Sequence, residues 1–204
     1  MTERNRVTPL GDIVAIPLRG AWTGNRGRIH SGHEIVRFHA SDLWIMCVLE
    51  FKGRWNPQWQ PTHYTYLYFQ DEAVSFAAGH RPCAECRRSD YDAYRVAWAE
   101  ALGTAVPSAQ QLNAQLHTER IVRGTHRRRI HSLPWASLPD GTFTLLEDVP
   151  HLVLGDALVE WTHSGYGTRR TRPACGTANV ITPPSTVAAF RAGYPVQIDT
   201  SARG

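Results

Sequence analysis

The feature that most constrains this chain is a pair of cysteines two residues apart, Cys83 and Cys86, within the stretch AAGHRPCAECRRSDY. A C-x-x-C turn lets two thiolates reach one metal ion, and backbone amides near the sulfurs stabilise their charge. The dipole of the helix predicted to follow adds to this stabilisation. The spacing therefore favours a metal site. Inert thiols are one alternative. A redox pair is another, although such pairs follow a β-α-β pattern and here a helix is expected first.

Composition favours thiols or metal ligands over disulfides for the four cysteines. The chain has 204 residues, of which 42% are hydrophobic, so it can bury a core without disulfide cross-links. Its first residues, MTERNRVTPLGD, lack the apolar stretch of a signal peptide. No apolar run approaches the roughly 18 residues of a membrane span. We therefore expect a soluble, cytoplasmic protein with no membrane partner, in a compartment that keeps cysteines reduced.

Hydrophobic patterning predicts an α+β fold. The first part should hold a small antiparallel sheet, a zinc knuckle and helices. From about residue 138 the chain changes to short β segments separated by turn dipeptides, followed by a closing helix over 183–192. The natural boundary divides the chain into regions 1–125 and 126–204, and one continuous domain is the alternative.

Strand-forming residues predict a β-hairpin with arms over 34–39 and 43–52, and a third strand over 63–69. Alternation along the second arm places Cys47 on one face with Ile45, Leu49 and Phe51. That is the face on which a buried structural thiol would lie.

Capping signals predict three helices in the first region. Asp71 should begin a short helix that Gly79 closes. Ser89 should begin a second helix over 90–102, after the cysteine pair. Ser108, with Gln111 three residues later, has the form of a capping box for a third helix that ends near Gly124.

The stretch Tyr66–Tyr91, YLYFQDEAVSFAAGHRPCAECRRSDY, resembles the second half of the zinc-binding module of the Ada DNA-repair family. The shared order is an aromatic strand, a short alanine-rich helix, a glycine, an Arg-Pro-Cys-x-x-Cys knuckle and another helix. The resemblance covers 26 of 204 residues and implies zinc held by cysteines, with DNA as a partner. The Ada module has a C-x-x-x-C pair upstream, whereas this chain has only Cys47 there.

The sequence leaves open which residues complete the zinc site. Cys47 precedes the aromatic strand, as the upstream cysteines of the Ada module do. His30 and His33 have the same two-residue gap as the cysteine pair, so they could form a second knuckle. We expect Cys83, Cys86, Cys47 and His30 to be the ligands. The remaining candidates are His33, His63, His80 and Cys175.

A second pattern, Glu50-x-Lys52 at the end of an apolar strand, is typical of Mg²⁺-dependent nucleases. The acid binds the metal, and the lysine orients or activates the attacking water. Lys52 is the only lysine in the chain. Pairing of the predicted hairpin would bring Glu34 near Glu50 as the second carboxylate. The alternative is an ordinary exposed Glu/Lys pair.

Arginines occur in clusters, although the formal net charge is only +4. Guanidinium groups suit phosphate geometry, so the clusters suggest a nucleic-acid partner, most simply DNA. The clusters are Arg26/Arg28, Arg87/Arg88, Arg123–Arg129 and Arg169/Arg170/Arg172. Three hypotheses follow: a nucleic-acid-binding or DNA-processing protein with structural zinc, a metal-dependent nuclease using Glu34, Glu50 and Lys52, and a zinc-folded protein-interaction module.

Overall fold

A computed structural model describes residues 2–53 and 57–204 as a mixed α+β fold, as the sequence predicts. The helices are α1 (Glu72–Ala77), α2 (Arg88–Leu102), α3 (Ala109–Arg120) and α4 (Pro184–Arg191). The strands are β1 (Arg6–Val7), β2 (Ile13–Val14), β3 (Trp22–Asn25), β4 (His30–Ser31), β5 (Glu34–Ile35), β6 (Ile45–Cys47), β7 (Leu67–Phe69), β8 (Arg81–Pro82), β9 (His131–Pro134), β10 (Phe143–Leu146), β11 (Val149–Leu154), β12 (Ala157–Thr162), β13 (Gly165–Thr171) and β14 (Thr177–Val180). No helix in this part of the chain is long and apolar enough to cross a bilayer.

The first sheet has the order β2-β1-β7-β3-β6-β8, and two of its pairings, β1–β7 and β6–β8, are parallel. The predicted hairpin over 34–52 is wrong. β5 pairs with β4, whereas β6 lies between β3 and β8. The partner of β6 was missed because glycine and asparagine lower the strand propensity of the sequence WTGN, which forms β3.

Gly24 explains why β3 contains a glycine. A Cβ atom at this position would lie 2.2 Å from the carbonyl oxygen of Ile45 and 3.0 Å from the Phe69 ring. Only a residue without a side chain permits this approach of β3 to β6. Gly24 therefore helps to set the position of β6, the strand that carries Cys47.

The second sheet has the order β13-β12-β11-β10-β14-β9, and all of its pairings are antiparallel. Four of its strands, β10, β11, β12 and β14, fall in the β segments that the sequence predicts over 142–147, 151–154, 157–162 and 177–182, and α4 is the predicted closing helix. The sequence did not predict β9 or β13. Along β13 the residues from 167 to 171 are exposed, so this strand lacks the alternation that identifies half-buried strands.

The two carboxylates that begin α1 tie it to the end of the chain. Asp71 caps the helix by accepting from the Val74 amide at 2.9 Å. Its second oxygen accepts from the Tyr166 hydroxyl at 2.7 Å and the Asp199 amide at 2.9 Å. Glu72 accepts from the Tyr194 hydroxyl and from the Gln197 amide, each at 2.7 Å.

The core also joins the two regions. One buried cluster contains Leu67 and Phe69 of the first sheet, Val74 of α1, and Phe143 and Trp161 of the second sheet. Regions 1–125 and 126–204 thus share a hydrophobic core. Burial of this apolar surface against both sheets stabilises α1, which is too short to be stable alone.

Helix α3 begins with the predicted capping box, in which Ser108 and Gln111 exchange side-chain and backbone hydrogen bonds. It ends at Arg120 rather than near Gly124. The reason is that Ile121 turns to extended geometry and forms a bridge with Arg128. Residues 122–127 therefore form a loop that returns to the end of α3.

Candidate metal centre

The thiols of Cys47, Cys83 and Cys86 converge, with their sulfur atoms all within 4.8 Å of one another. Zinc bonds thiolate sulfur at about 2.3 Å, so sulfurs sharing a tetrahedral zinc lie roughly 3.8 Å apart. The three thiols fit that requirement with small adjustments. In residues 2–53 and 57–204, no histidine, carboxylate or fourth cysteine belongs to the same group.

Parallel pairing of β6 with β8 brings the third cysteine to the C-x-x-C pair. Met46 lies opposite Pro82 in this pairing, and the Cys83 amide donates to the Met46 carbonyl at 2.9 Å. Cys47 follows Met46 directly, so its side chain lies beside Cys83. The distance along the chain between these cysteines hides the contact from any local sequence pattern.

The C-x-x-C pair lies in a turn, as predicted. The Cys83 sulfur accepts from the Glu85 amide at 3.4 Å, and the Cys83 carbonyl accepts from the Arg87 amide at 3.2 Å. Helix α2 begins immediately afterwards, at Arg88, so the prediction that Ser89 caps this helix is wrong; the N-cap is Arg87, whose side chain makes no capping hydrogen bond. The turn therefore has the form of a metal knuckle at a helix N-terminus, where amides and the helix dipole stabilise thiolates.

Hydrogen bonding among the three thiols lowers the pKa of Cys83, while the pKa values of Cys47 and Cys86 are raised. Donation from the thiols of Cys47 and Cys86, together with nearby backbone amides, lowers the pKa of Cys83 to about 2. The hydrogen bond from Cys47 to Cys83 raises the pKa of Cys47. The cluster therefore carries a thiolate at neutral pH, which is the state that binds metal.

Cys47 lies beside a cavity rather than in the core. Met46, on the other face of β6, is fully buried, whereas Cys47 is half-buried and Leu49 is 54% exposed. The expectation that the face of Cys47 and Leu49 points inward is wrong. The cavity has a volume of about 190 Å³. Besides the three cysteines, its lining includes Thr23, Asn25, Tyr64 and Tyr66.

The tyrosines of this lining were not predicted as site residues, although alternation along HYTYLYF puts Tyr64 and Tyr66 on one face. Their ring centroids lie 5.0 Å apart. Burial and a hydrogen bond with Tyr66 raise the pKa of Tyr64, so its hydroxyl is protonated at neutral pH. The thiols thus face hydroxyl and amide groups as well as apolar surface.

His30 lies outside the thiol group. Its ring nitrogens contact the Thr65 hydroxyl at 2.6 Å and the Gln60 carbonyl at 3.1 Å. The ring also packs edge-on against Trp59. His30 lies in β4, and His33 lies in the two-residue turn that joins β4 to β5 and packs on Trp59 as well. The paired histidines therefore stabilise a hairpin, away from the cysteines.

The other candidate ligands are also placed elsewhere. His80 is fully buried between the rings of Trp44 and Phe69, and its Nε2 lies 3.3 Å from Arg26 Nε. His63 is exposed and contacts Thr62. Cys175 is exposed in the loop before β14. None of the three joins the thiol group.

The residues of the nuclease hypothesis do not share a strand pair. Glu34 belongs to β5, whose partner is β4, so the pairing that would place it opposite Val48 does not form. Glu50 lies beyond the end of β6. Lys52 lies in a turn with φ of 55°, in the left-handed region. Strand pairing therefore does not bring Glu34 to Glu50 and Lys52.

Two of the clustered arginines are structural. Arg26 and Arg87 are at most 2% exposed, so they are not available to contact a polynucleotide. Arg87 instead donates to Glu72 at 2.7 Å and lies over the Trp22 ring. Any electrostatic surface must therefore come from the exposed arginines.

Comparison of the chain with family models, curated proteins and solved structures finds no match. The features of the molecule that bear on function are therefore the thiol group and the charged surface.

Proposed function

We propose that this chain is a nucleic-acid-binding protein whose fold is stabilised by one zinc ion held by Cys47, Cys83 and Cys86. The observation that supports the proposal most strongly is the convergence of three thiols from β6 and the knuckle before α2. Three thiols in one place suit zinc better than harder ions such as Mg²⁺ or Ca²⁺. The resemblance of Tyr66–Tyr91 to the Ada zinc module supports both zinc and a DNA partner.

A structural role for the ion follows from what it would connect. The metal would link the end of β6 to the start of α2 through coordination bonds. Arg87, one residue after Cys86, continues this link into the core through Glu72. Binding free energy of a structural zinc becomes folding free energy, so the region should depend on the ion.

A surface formed by three segments of the chain supports the nucleic-acid partner. We call it the basic face, and define it by Arg4, Arg37, Arg123, Arg127 and Arg129. His126 lines two adjacent cavities; Arg123 and Arg129 line one of them, and Arg4 and Arg37 line the other. Arg127 directly follows His126 in the same exposed loop.

The basic face is free of ion pairs. Among the described residues, none of its five arginines lies within 4.0 Å of a carboxylate oxygen. Asp12 is the acidic residue in the lining of the second cavity. Unpaired exposed guanidiniums attract phosphates and release counterions when they bind them. The face therefore fits a polyanion.

Elemental analysis of untagged protein tests the zinc. We expect about one zinc per chain, and its loss in Cys47→Ser and in Cys83→Ser, because three ligands cannot spare one. Cys175→Ser is the matched control, since that thiol is exposed and outside the group. His30→Ala should keep its zinc. Folded protein that contains no metal would refute the zinc part of the proposal.

Fluorescence anisotropy with labelled duplex DNA, single-stranded DNA and RNA tests the partner. Binding should be detectable at low salt and weaken steeply as salt rises. Arg37→Ala and Arg127→Ala should each weaken it and reduce the salt slope by about one. Arg191→Ala, exposed in the last turn of α4, is the control. If no probe binds at low salt, the zinc-folded interaction module becomes the better hypothesis.

A further inference from the structure

A cavity of about 660 Å³ opens beside the C-terminal end of α3. We call it the histidine pocket, and define it by His39, His117, His126, Arg123 and Arg129, which are among its lining residues. The five come from the segment before β6, from α3 and from the loop after α3. The histidine pocket is separate from the thiol cavity, because the two linings share no residue.

The three histidines form a compact group. The ring centroids of His39 and His117 lie 5.3 Å apart, and those of His39 and His126 lie 6.4 Å apart. Phe38 packs on His126, and Trp44 packs on His39. Aromatic neighbours thus hold two of the imidazoles in place, so the pocket is preorganised.

His117 has one ring nitrogen engaged and the other available. Its Nδ1 lies 2.9 Å from Arg120 Nη2 and 3.2 Å from Asp42 Oδ1. Whether Nδ1 contacts Arg120 or Asp42, the other ring nitrogen, Nε2, remains available for a ligand in the pocket. With Nδ1 accepting from Arg120, Nε2 carries the proton and is a hydrogen-bond donor.

Buried positive charge lies next to these rings. Arg120 is fully buried, and Arg26 lies with it against the Trp44 ring, at 4.0 Å and 4.1 Å from the ring centroid. Burial, reinforced at Arg26 by the charge of Arg128, lowers the pKa of Arg26 and Arg128 to about 9. Both therefore remain charged at neutral pH.

This charge is incompletely compensated. Within residues 2–53 and 57–204, no carboxylate forms an ion pair with Arg26, Arg120 or Arg128. The Nε of Arg120 and the Nε of Arg128 are buried without a hydrogen-bond partner in the same residues. The Asp42 side chain is 58% exposed, so water weakens its attraction. The three guanidiniums donate to backbone carbonyls, but a buried charge without a counter-charge is costly, and an anion nearby would reduce that cost.

The positive charge of the buried arginines also argues against a metal ion in the histidine pocket. A divalent cation would be repelled by the buried guanidiniums and by Arg123 and Arg129 at the pocket lining. The histidine nitrogens also do not form a metal-type group, since the thiols are the one such group in the described parts of the chain. The pocket therefore suits an anion with several acceptor oxygens.

We propose that the histidine pocket binds a phosphate group, with Arg123, Arg129 and Nε2 of His117 as donors. Guanidinium forks match the oxygens of phosphate, and an imidazole N–H adds a directed bond. The phosphate belongs to a polynucleotide or to a small phosphate ester. The first source rests on the proposed function, because the pocket adjoins the basic face through His126, Arg123 and Arg129.

The first experiment is an NMR titration of the intact zinc-loaded protein with inorganic phosphate and with a mononucleotide. The imidazole Cε1–H signals of His39, His117 and His126 should shift together and saturate, whereas that of the exposed His63 should not. This readout needs no variant and so does not depend on a variant's folding. If the three signals stay unchanged, or if all exposed histidines shift equally, the proposal is overturned.

Calorimetry on variants gives the second readout. Arg129→Ala and His117→Ala should weaken binding of the mononucleotide at least tenfold. Arg191→Ala is the control, because Arg191 is exposed in the last turn of α4, lies outside the basic face and does not line the pocket. Equal loss in Arg191→Ala and Arg129→Ala would mean non-specific attraction and would overturn the site.

A short oligonucleotide separates this inference from the proposed function. If the mononucleotide binds and the oligonucleotide does not, the histidine pocket stands as a site for a small phosphate ester and the nucleic-acid function fails. If the oligonucleotide binds equally well to wild type and His117→Ala, and the mononucleotide does not bind, the basic face stands and the pocket fails. If both ligands bind, and both weaken in Arg129→Ala, the polynucleotide is the source.

Discussion

Arg87 donates to the carboxylate of Glu72 across 2.7 Å, and neither side chain has any exposure to solvent. The pair lies one residue beyond Cys86, so it fixes the end of the metal knuckle to α1. The Tyr194 hydroxyl donates to the same oxygen of Glu72, and the Gln197 amide donates to the other. The knuckle is therefore anchored in the core by a buried ion pair in which both carboxylate oxygens accept hydrogen bonds.

Removing the charge of Glu72 should destabilise the protein strongly. In Glu72→Gln the buried Arg87 loses its fully buried counter-charge and keeps only the partly exposed Asp90 at 2.8 Å, and breaking a buried ion pair costs about 3–5 kcal/mol. Urea unfolding of the zinc-loaded protein measures this loss in the free energy of unfolding. The control is Arg88→Ala, which breaks an exposed pair with Asp92 and should leave the unfolding midpoint nearly unchanged. Equal midpoints for the two variants would contradict the anchoring role.

Gly24→Ala should destabilise the first sheet and weaken zinc binding. Its Cβ would meet the Ile45 carbonyl at 2.2 Å, which forces β3 and β6 apart and displaces Cys47. Overpacking of this kind costs about 1–3 kcal/mol, occasionally more. Gly167→Ala in β13 is the control, because no heavy atom lies within 4 Å of its added Cβ. Competition with a chromophoric chelator gives zinc affinity, and unchanged affinity in Gly24→Ala would contradict the expectation.

Asp71 should make stability fall as pH rises from about 4 to 6. Burial raises its pKa from 3.8 to about 6, although the Val74 and Asp199 amides and the Tyr166 hydroxyl oppose this shift. The folded state therefore binds a proton that the unfolded state releases in this range, and that stabilisation is lost as pH passes 6. The stabilisation lost between pH 4 and 6 is on the order of 3 kcal/mol. Asp71→Asn should abolish it.

The difference in unfolding free energy between wild type and Asp71→Asn isolates this contribution, because other titrating groups cancel. That difference should decrease between pH 4 and 6 and be flat above pH 7. A difference that increases with pH would show that the hydrogen bonds to the carboxylate outweigh its burial.

Zinc removal should loosen the knuckle while leaving the second sheet intact. Treatment with a chelator removes the proposed link between β6 and α2, so amide exchange should accelerate over Ile45–Cys47 and over residues 83–88. The strands β10, β11 and β12 are the internal control, since the thiols lie outside that sheet. Acceleration confined to β10–β12, or none at all, would contradict a structural zinc.

Local signals predicted local structure well. The caps at Asp71 and Ser108 and the knuckle turn follow from contacts within four residues, and all are present. The position of β6 could not be predicted in this way, because its partners β3 and β8 are distant in sequence and β3 has the composition of a loop.

The candidate sites likewise divide into residues that a local sequence pattern predicts and residues that only contacts distant in sequence bring together. Cys83 and Cys86 follow from spacing, whereas Cys47 needed the sheet register to be placed beside them. His39, His117 and His126 were not predicted as a group, since they lie on three segments and each alone is an ordinary polar residue. Arg26 and Arg87 looked like surface charge, yet they are buried, because stacking on Trp44 and pairing with Glu72 replace their hydration.

The hydrogen bonds of Asp71 and Glu72 determine how this chain can be divided. Residues 194–199 supply donors to both carboxylates. A fragment that stops at residue 125 would retain every cysteine of the thiol group and yet leave these two acids facing an uncovered core. The metal knuckle is consequently not a transferable module, and recombination or truncation between the two regions would separate a ligand set from the part of the chain that keeps it folded.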